Sequence, residues 1–293
     1  METDGGEIFC LPEECISHVI SLTSPLDSCR SSAVSTTFRS AASSDTVWEH
    51  FLPSDYKSIL SRAVHPVEYS SKRELFFRLC DPVLIDDGKM SFSLEKSSGA
   101  KCYMLSARQL FIVWADTPHY WRWLCLPNSR FSEVAQLLLV WWLEIRGKIE
   151  SRMLTPKTTY GAYLIYKVDQ TASQGLDFPN QETTVKLGAQ VSKHTVRISP
   201  DDAETRRNRR MFRRFLNWRG MMLVPLAQDA EENNNNGARA PRARADGWLE
   251  MEMGEFYNDE GEDGDVEMSL MEVEGGNCKS GLIIQGIEIR PKN

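Results

Sequence analysis

The spacing of apolar positions changes once along the chain, and the change separates two kinds of structure. In Leu11-Pro12-Glu13-Glu14 the proline suits a first helical turn, where its missing N–H is not needed, and Ile16, Val19 and Ile20 then recur at helical spacing. Ser24-Pro25-Leu26-Asp27 is a second start signal: a capping serine, proline at the first position, and an acid two residues later that reaches back to the cap. Leu26, Cys29, Ala33 and Val34 follow on one stripe, and Phe38 continues it. After Ser43-Ser44-Asp45 a last turn carries Val47, Trp48, Phe51 and Leu52. The pattern predicts short helices over residues 11–52, behind a disordered N-terminus at 1–10.

A segment this small buries only a modest fraction of its surface. It nevertheless carries Leu11, Ile16, Ile20, Leu22, Leu26, Val34, Phe38 and Trp48, so part of this apolar surface is expected to face a partner. Helical spacing recurs in Tyr56-Ile59-Leu60 and Leu75-Phe76-Leu79, which predicts a helical connector over 53–99.

From Lys101 the period falls to two. β-rich runs are expected at Tyr103 to Trp114, Tyr120 to Leu126, Leu139 to Glu150, Tyr160 to Val168, Thr195 to Ile198, Met221 to Leu226, Trp248 to Tyr257, Val266 to Val273 and Leu282 to Ile289. Many short strands between turns predict an antiparallel β-sandwich of jelly-roll type over 100–293, so the fold class is α+β with more than one domain. Residues 200–246 break the pattern with the cluster Arg206, Arg207, Arg209, Arg210, Arg213 and Arg214 and the run Asn233 to Asn236, and a mobile loop is expected there.

Strand parity singles out two tryptophans. In Leu139 to Glu150, Leu139, Trp141, Leu143, Ile145 and Ile149 share one face, read as core, while Trp142 shares the other with Glu144 and Arg146. Trp248 shares a face with Glu250 and Glu252 in the same way. An exposed indole beside charged hydrogen-bonding groups suits a sugar, whose C–H face stacks on the ring while its hydroxyls take donors and acceptors. In the alternative reading, a neighbouring loop or the connector helices cover both rings. Trp114 to Trp123 concentrates further aromatics around a proline turn; Trp121 and Trp123 read as core, with Asp116 and Arg130 flanking as hydroxyl partners.

Composition removes several function classes. The chain has 293 residues, long enough for two domains, with 34 basic and 41 acidic side chains for a formal charge of -7. Such a balance is not built to neutralise nucleic-acid phosphates or anionic lipid, and the arginine cluster is expected to pair internally or stay solvated. Seven scattered cysteines without CxxC spacing argue against a disulfide framework and a zinc site. With an acidic start and no long apolar run, a reducing cytoplasmic or nuclear setting is expected, without membrane partners. Glu250 and Glu252 are compatible with a hydrolytic carboxylate pair, but alternating acids on a strand are far more often a solvated face. No nucleophile motif, HExxH, P-loop or GxGxxG is present, and His18, His50, His65, His119 and His194 lack ligand spacing; an enzyme, a cofactor and a metal are not expected.

Leu11-Pro12-Glu13, then Ile16 and Ile20, Pro25-Leu26-Asp27, Val34, Phe38-Arg39 and Trp48 resemble the F-box in order and spacing, with Ser35 to Thr37 where that family often has a basic or cysteine-containing turn. The strings Lys101 to Arg108, Trp114 to Pro118, Ser129 to Ala135, Trp142 to Gly147, Asp246 to Glu250, Gly254 to Phe256 and Gly281 to Pro291 resemble the phloem lectin (phloem protein two) domain of plants. The combination is similar to the plant F-box lectins of the type B group. That resemblance implies a substrate receptor of an SCF ubiquitin ligase, with a Skp-type adaptor and a cullin scaffold as partners. It also implies a client carrying N-acetylglucosamine oligomers or N-glycans. Adaptor binding is then expected at Leu11, Pro12, Ile16, Ile20, Leu26, Val34, Phe38 and Trp48. Carbohydrate is expected at Trp142, Trp248, Glu144, Arg146, Arg130 and Asp116. The alternative is an F-box receptor whose sandwich binds a protein surface without sugar.

Overall fold

The computed structural model describes residues 11–169, 171–176, 180–199, 238–261, 264–273 and 276–292. The expected disordered residues 1–10, the strand at Met221 to Leu226, the arginine cluster and the asparagine run lie outside the described residues.

Six short helices come first: α1 (Glu13–Ser21), α2 (Pro25–Ser31), α3 (Thr36–Ser43), α4 (Asp45–Phe51), α5 (Tyr56–Ser61) and α6 (Lys72–Leu79). Local chemistry sets several of their starts. Ser24 accepts from the Asp27 N–H at 3.1 Å, and its hydroxyl donates to the Asp27 carboxylate at 2.8 Å, so the acid engages the cap's side chain. Ser35 caps α3 and Ser71 caps α6 in the same manner.

The strands are β1 (Val83–Ile85), β2 (Met90–Leu94), β3 (Lys101–Ser106), β4 (Phe111–Ile112), β5 (Trp121–Leu124), β6 (Val134–Leu137), β7 (Leu143–Glu150), β8 (Thr158–Val168), β9 (Gln181–Leu187), β10 (Gln190–Val196), β11 (Arg242–Ala243), β12 (Leu249–Asn258), β13 (Asp265–Glu272) and β14 (Leu282–Pro291). They form two antiparallel sheets packed as a sandwich. One runs β1-β2-β3-β14-β8-β12-β11, with β6 also on β14 and β5 on β6; the other runs β10-β9-β13-β7-β4. The α+β class read from the periodicity is the fold observed. The switch to strands comes earlier than Lys101, because β1 and β2 form a hairpin that adds to β3 and takes the end of the expected helical connector into the sheet. The run from Tyr103 to Trp114 is broken after Ser106 by a single tight helical turn. Part of the expected loop is also ordered: Arg239 bridges Val196, and β11 pairs with β12.

Alternation fills the space between the sheets. Leu143, Ile145 and Ile149 of β7, Val266, Met268 and Leu270 of β13, and Tyr160, Leu164 and Tyr166 of β8 are all buried there. Two long strands change phase. In β14, Leu282 and Ile284 are followed by Ile287 and Ile289, because the pairing with β8 shifts register between Ile284 and Gly286. A side chain at Gly286 would place its Cβ 1.9 Å from the Leu105 carbonyl oxygen, so only glycine lets β14 approach β3 at this step. β12 shifts likewise between Glu252 and Gly254.

The helices and the sandwich share one continuous core that runs from Ile16, Ile20 and Trp48 through Leu75 and Phe76 to Phe92, Tyr103 and the inter-sheet layer. Polar contacts stitch the junction. Lys101 pairs with Asp55 at 3.1 Å, Arg62 donates to Asp86 at 2.8 Å, and the Val64 N–H donates to the Leu84 carbonyl at 2.9 Å. Gly99, at φ 74°, turns the β2-β3 hairpin under α4 and α6, where a Cβ would lie 3.0 Å from the Phe51 carbonyl oxygen.

Candidate functional site

Two surfaces stand apart from this core. On the helices, α1 has two apolar sides. Ile16 and Ile20 face inward onto α3 and α4, whereas Val19 and Leu22, three and two residues further on, face solvent together with Leu11, Leu26 and Val34. The adaptor set expected from the sequence therefore divides. Leu11, Pro12, Leu26 and Val34 are exposed and Phe38 is half-buried; Ile16, Ile20 and Trp48 belong to the interior. Trp48 is 1% exposed and its indole N–H donates to the Ala42 carbonyl at 2.7 Å. The reason is packing: α1 needs one stripe to close its own bundle, and the inward stripe is not available to a partner. Val19 and Leu22, outside the expected set, are exposed like its outward members. Their spacing from Cys15 was the available signal.

The second surface is an aromatic rim at one end of the sandwich. Trp142 is exposed, and its indole N–H donates to the Glu144 carboxylate at 2.8 Å; Glu144, itself buried, pairs with Arg146 at 2.5 Å. These three residues come together as parity predicted. β7 begins only at Leu143, so Leu139 and Trp141, expected in the core, lie outside the strand and are exposed, Trp141 by 55%. Phe111, opposite Arg146 on the edge strand β4, is exposed too. The Val113 N–H donates to the Glu144 carbonyl at 3.1 Å, which brings the next turn to the same end. There Trp114, at a φ of 59° unusual for a side-chain-bearing residue, turns its ring outward against Tyr120, with centroids 5.3 Å apart.

Behind that turn lies an open cavity of about 370 Å³ lined by Arg108, Asp116, Pro118, Trp121, Arg122 and Trp123. The indoles of Trp121 and Trp123 donate to the Val113 and Ala115 carbonyls at 3.1 and 3.3 Å and so hold the turn in place. Trp121 is core, as expected, whereas Trp123 is half-buried and carries the Arg108 guanidinium 3.5 Å above its ring, fixed by Glu133. Arg122 donates two hydrogen bonds to the Gln136 side-chain oxygen; Asp116 stands exposed at the cavity edge.

Trp248 and Arg130 do not join this rim. Trp248 does lie on the outer face of the nine-stranded sheet with Glu250 and Glu252, but it is 1% exposed: its N–H donates to the Asn128 carbonyl at 2.8 Å, Lys167 lies over its ring, and Phe131 and Val134 pack around it. The segment before β6 folds over that face and covers the ring, so the platform expected at Trp248 is corrected to a second small core. Arg130 belongs to a charge ladder beside it. With Arg244 and Arg290 it surrounds the buried Glu288, at 3.2, 2.8 and 2.7 Å. Burial alone would raise the Glu288 carboxyl, but Arg244 and Arg130 outweigh it and hold its pKa below the ordinary value.

The same ladder answers the question of a hydrolytic pair. Glu250 is held by Arg244 and Arg290, and Glu252 by Arg239 and Lys292. Burial raises the Glu252 pKa, yet Lys292 and Arg239 bring it below its ordinary value, the opposite of what a general acid requires.

A helical bundle with exposed aliphatic side chains is thus joined through one core to a β-sandwich with an aromatic rim. Residues 8–50 match the F-box domain family, and residues 100–291 match the family described as Phloem protein 2. Relatives in Arabidopsis thaliana are similar over nearly the whole length. Putative F-box protein PP2-B12 is 45% identical, covering 96% of this chain and 97% of that protein. F-box protein VBF is 44% identical over 96% of this chain and 99% of its own length, and F-box protein PP2-B1 is 43% identical over 99% and 91%. The chain belongs to the phloem protein 2 family and is an F-box protein of that family.

Proposed function

We propose that this protein is a non-catalytic substrate adaptor of an SCF ubiquitin ligase, working in the cytosol or nucleus, and that its sandwich recruits a saccharide-bearing client. The exposed aliphatic side chains of Leu11, Val19, Leu22, Leu26 and Val34 carry the first half of this reading. The bundle closes its own core without these side chains, so a Skp-type adaptor has a preformed apolar surface to cover, with a cullin scaffold beyond it. The rim supports the second half. Trp142 and Trp114 offer ring faces for the C–H side of a pyranose, while Glu144, Arg146 and, at the cavity, Asp116 and Arg122 offer hydroxyl partners. Chitin oligomers and N-glycans are the class to test first.

Two measurements on the full chain decide between this and the rival reading, a sandwich that takes a protein surface without sugar. Adaptor capture by the wild type and its loss in a Leu22→Ala, Val34→Ala variant supports the first half; undiminished capture contradicts it. A glycan array tests the second, where silence across chitin oligomers and N-glycans from a folded chain transfers the sandwich to the protein-binding reading.

A further inference from the structure

Lys279 is a fully buried ammonium to which the reading above assigns no task. It lies in the segment between β13 and β14, where its backbone pairs with Val140 in both directions: the Lys279 N–H donates at 2.7 Å and the Val140 N–H returns the bond at 2.9 Å. Its side chain forms an ion pair with the buried carboxylate of Glu272 and donates to the carbonyl oxygens of Trp141 at 2.8 Å and Asn277 at 2.9 Å. Two of its protons thus reach main-chain carbonyls, and the ammonium faces the carboxylate besides. The chain on the far side is pinned as well, since Gly281 donates to the Leu137 carbonyl and Ser280 pairs with Gln174 in both directions. Lys279 is thus the hub at which three loops of the rim end meet.

Stability alone is a poor reason for such a group. Removing two ions from water costs more than their attraction commonly returns, and an apolar pair of similar volume would serve the fold as well or better. Burial accordingly pushes the Lys279 ammonium down, to about 8. An apolar pair, however, cannot donate to the carbonyl of Trp141. That carbonyl belongs to the peptide that enters Trp142, in a stretch outside any strand whose two indoles are 55% and 42% exposed and so are not fixed by burial. Polar contacts must set their direction. Glu144 holds the Trp142 ring from the β7 side, and Lys279 holds the peptide before it.

We infer that Lys279 is a positioning residue of the aromatic rim: through the Trp141 carbonyl it fixes the Trp141-Trp142 peptide and with it the direction in which the Trp142 indole is presented to a ligand. For its ligand, though not for its geometry, this inference rests on the saccharide reading above.

The test uses the full chain labelled with 5-fluorotryptophan, with the two resonances assigned through Trp141→Phe and Trp142→Phe variants. Lys279→Met strands a buried carboxylate and is expected to lower the thermal midpoint, so it is compared with the paired variant Glu272→Gln, Lys279→Met, in which neither charge remains. The paired variant is expected to recover the thermal midpoint while its Trp141 and Trp142 resonances stay shifted or broadened. Its retention of chitin oligomers is expected to fall at least tenfold. Recovery of both resonances to their wild-type positions along with stability would overturn the inference, because Lys279 would then only neutralise Glu272. If the wild type retains no saccharide, the saccharide reading fails by itself, and the fluorine resonances still decide: displaced in the paired variant, they support the positioning role; unmoved, they end it.

Discussion

The ring of Phe76 lies 5.2 Å from the indole of Trp48, and through this contact the last helix of the F-box shares a buried aromatic cluster with the connector. Phe77 packs on the same indole at 5.2 Å and edge-on against Phe76 at 5.7 Å, and the Arg73 guanidinium lies 5.8 Å from the indole. The F-box helices are therefore not an independent bead on a tether. If the sandwich holds a client, that client stands at a set position relative to whatever the helices bind.

Trp48→Ala is expected to destabilise the whole chain, by about 3 to 5 kcal/mol on the scale for aromatic truncation in a core. Because the core is continuous, circular dichroism should record the helical and sandwich signals lost in one transition. Two separated transitions would show that the halves unfold independently.

The two sides of α1 should respond oppositely. Ile16→Ala is expected to cost about 2 to 5 kcal/mol of stability. Leu22→Ala leaves stability within roughly 0.5 kcal/mol, as surface changes do. If the exposed side chains bind the adaptor, the same Leu22→Ala weakens its capture by about 1.5 to 3 kcal/mol, the worth of a fully buried large side chain. Calorimetric titration alongside denaturant unfolding separates the two effects.

Trp142 and Trp248 should likewise part company. Trp248→Ala opens a hole beneath the covering segment and should cost about 3 to 5 kcal/mol. If the rim binds the saccharide, Trp142→Ala abolishes retention on immobilised chitin oligomers, and its cost in stability is expected to stay well below that of Trp248→Ala, limited to the hydrogen bond lost at Glu144. A Trp142→Ala chain as unstable as Trp248→Ala would mean that the ring is covered after all.

The charge ladder sets an acid limit. The folded-state pKa of Glu288 lies below its ordinary value of 4.5, with burial opposing and Arg244 and Arg130 prevailing. A group depressed in this way stabilises the fold above its unfolded value, and that contribution is lost as pH falls through the folded value. Unfolding followed from pH 7 downward should therefore show stability declining below about 4.5, the ordinary carboxyl value. In Glu288→Gln this part of the decline should be missing, and the chain should be less stable at neutral pH because three arginines are left facing an uncharged amide.

Much of the fold was legible because it is encoded over short distances. The serine caps at Ser24 and the alternation in β7 from Leu143 onward rest on neighbours within a few residues, and they stand where the pattern places them. The start of β7 was misjudged because alternation continues back through Trp141 while pairing does not: Val140 is tied to Lys279 instead, and this diverts the chain. Parity also placed Trp248 correctly on a face but could not say that the face is covered, since the carbonyl that accepts from its indole is 120 residues away in sequence. The phase changes in β12 and β14 were hidden for a similar reason: each is a property of pairing with β8, not of the strand alone.

Taken by itself, the amino-acid sequence determined the helical start, the sandwich behind it and which side chains of β7 from Leu143 onward share a face, because hydrogen-bond capping and periodicity act between residues close along the chain. Tertiary structure alone decided which apolar stripe of α1 turns outward, that Trp142 is open while Trp248 is closed, and that Arg130 serves Glu288 and not the rim. Burial depends on what is packed against a surface, and here the covering groups come from distant parts of the chain that local pattern cannot pair in advance.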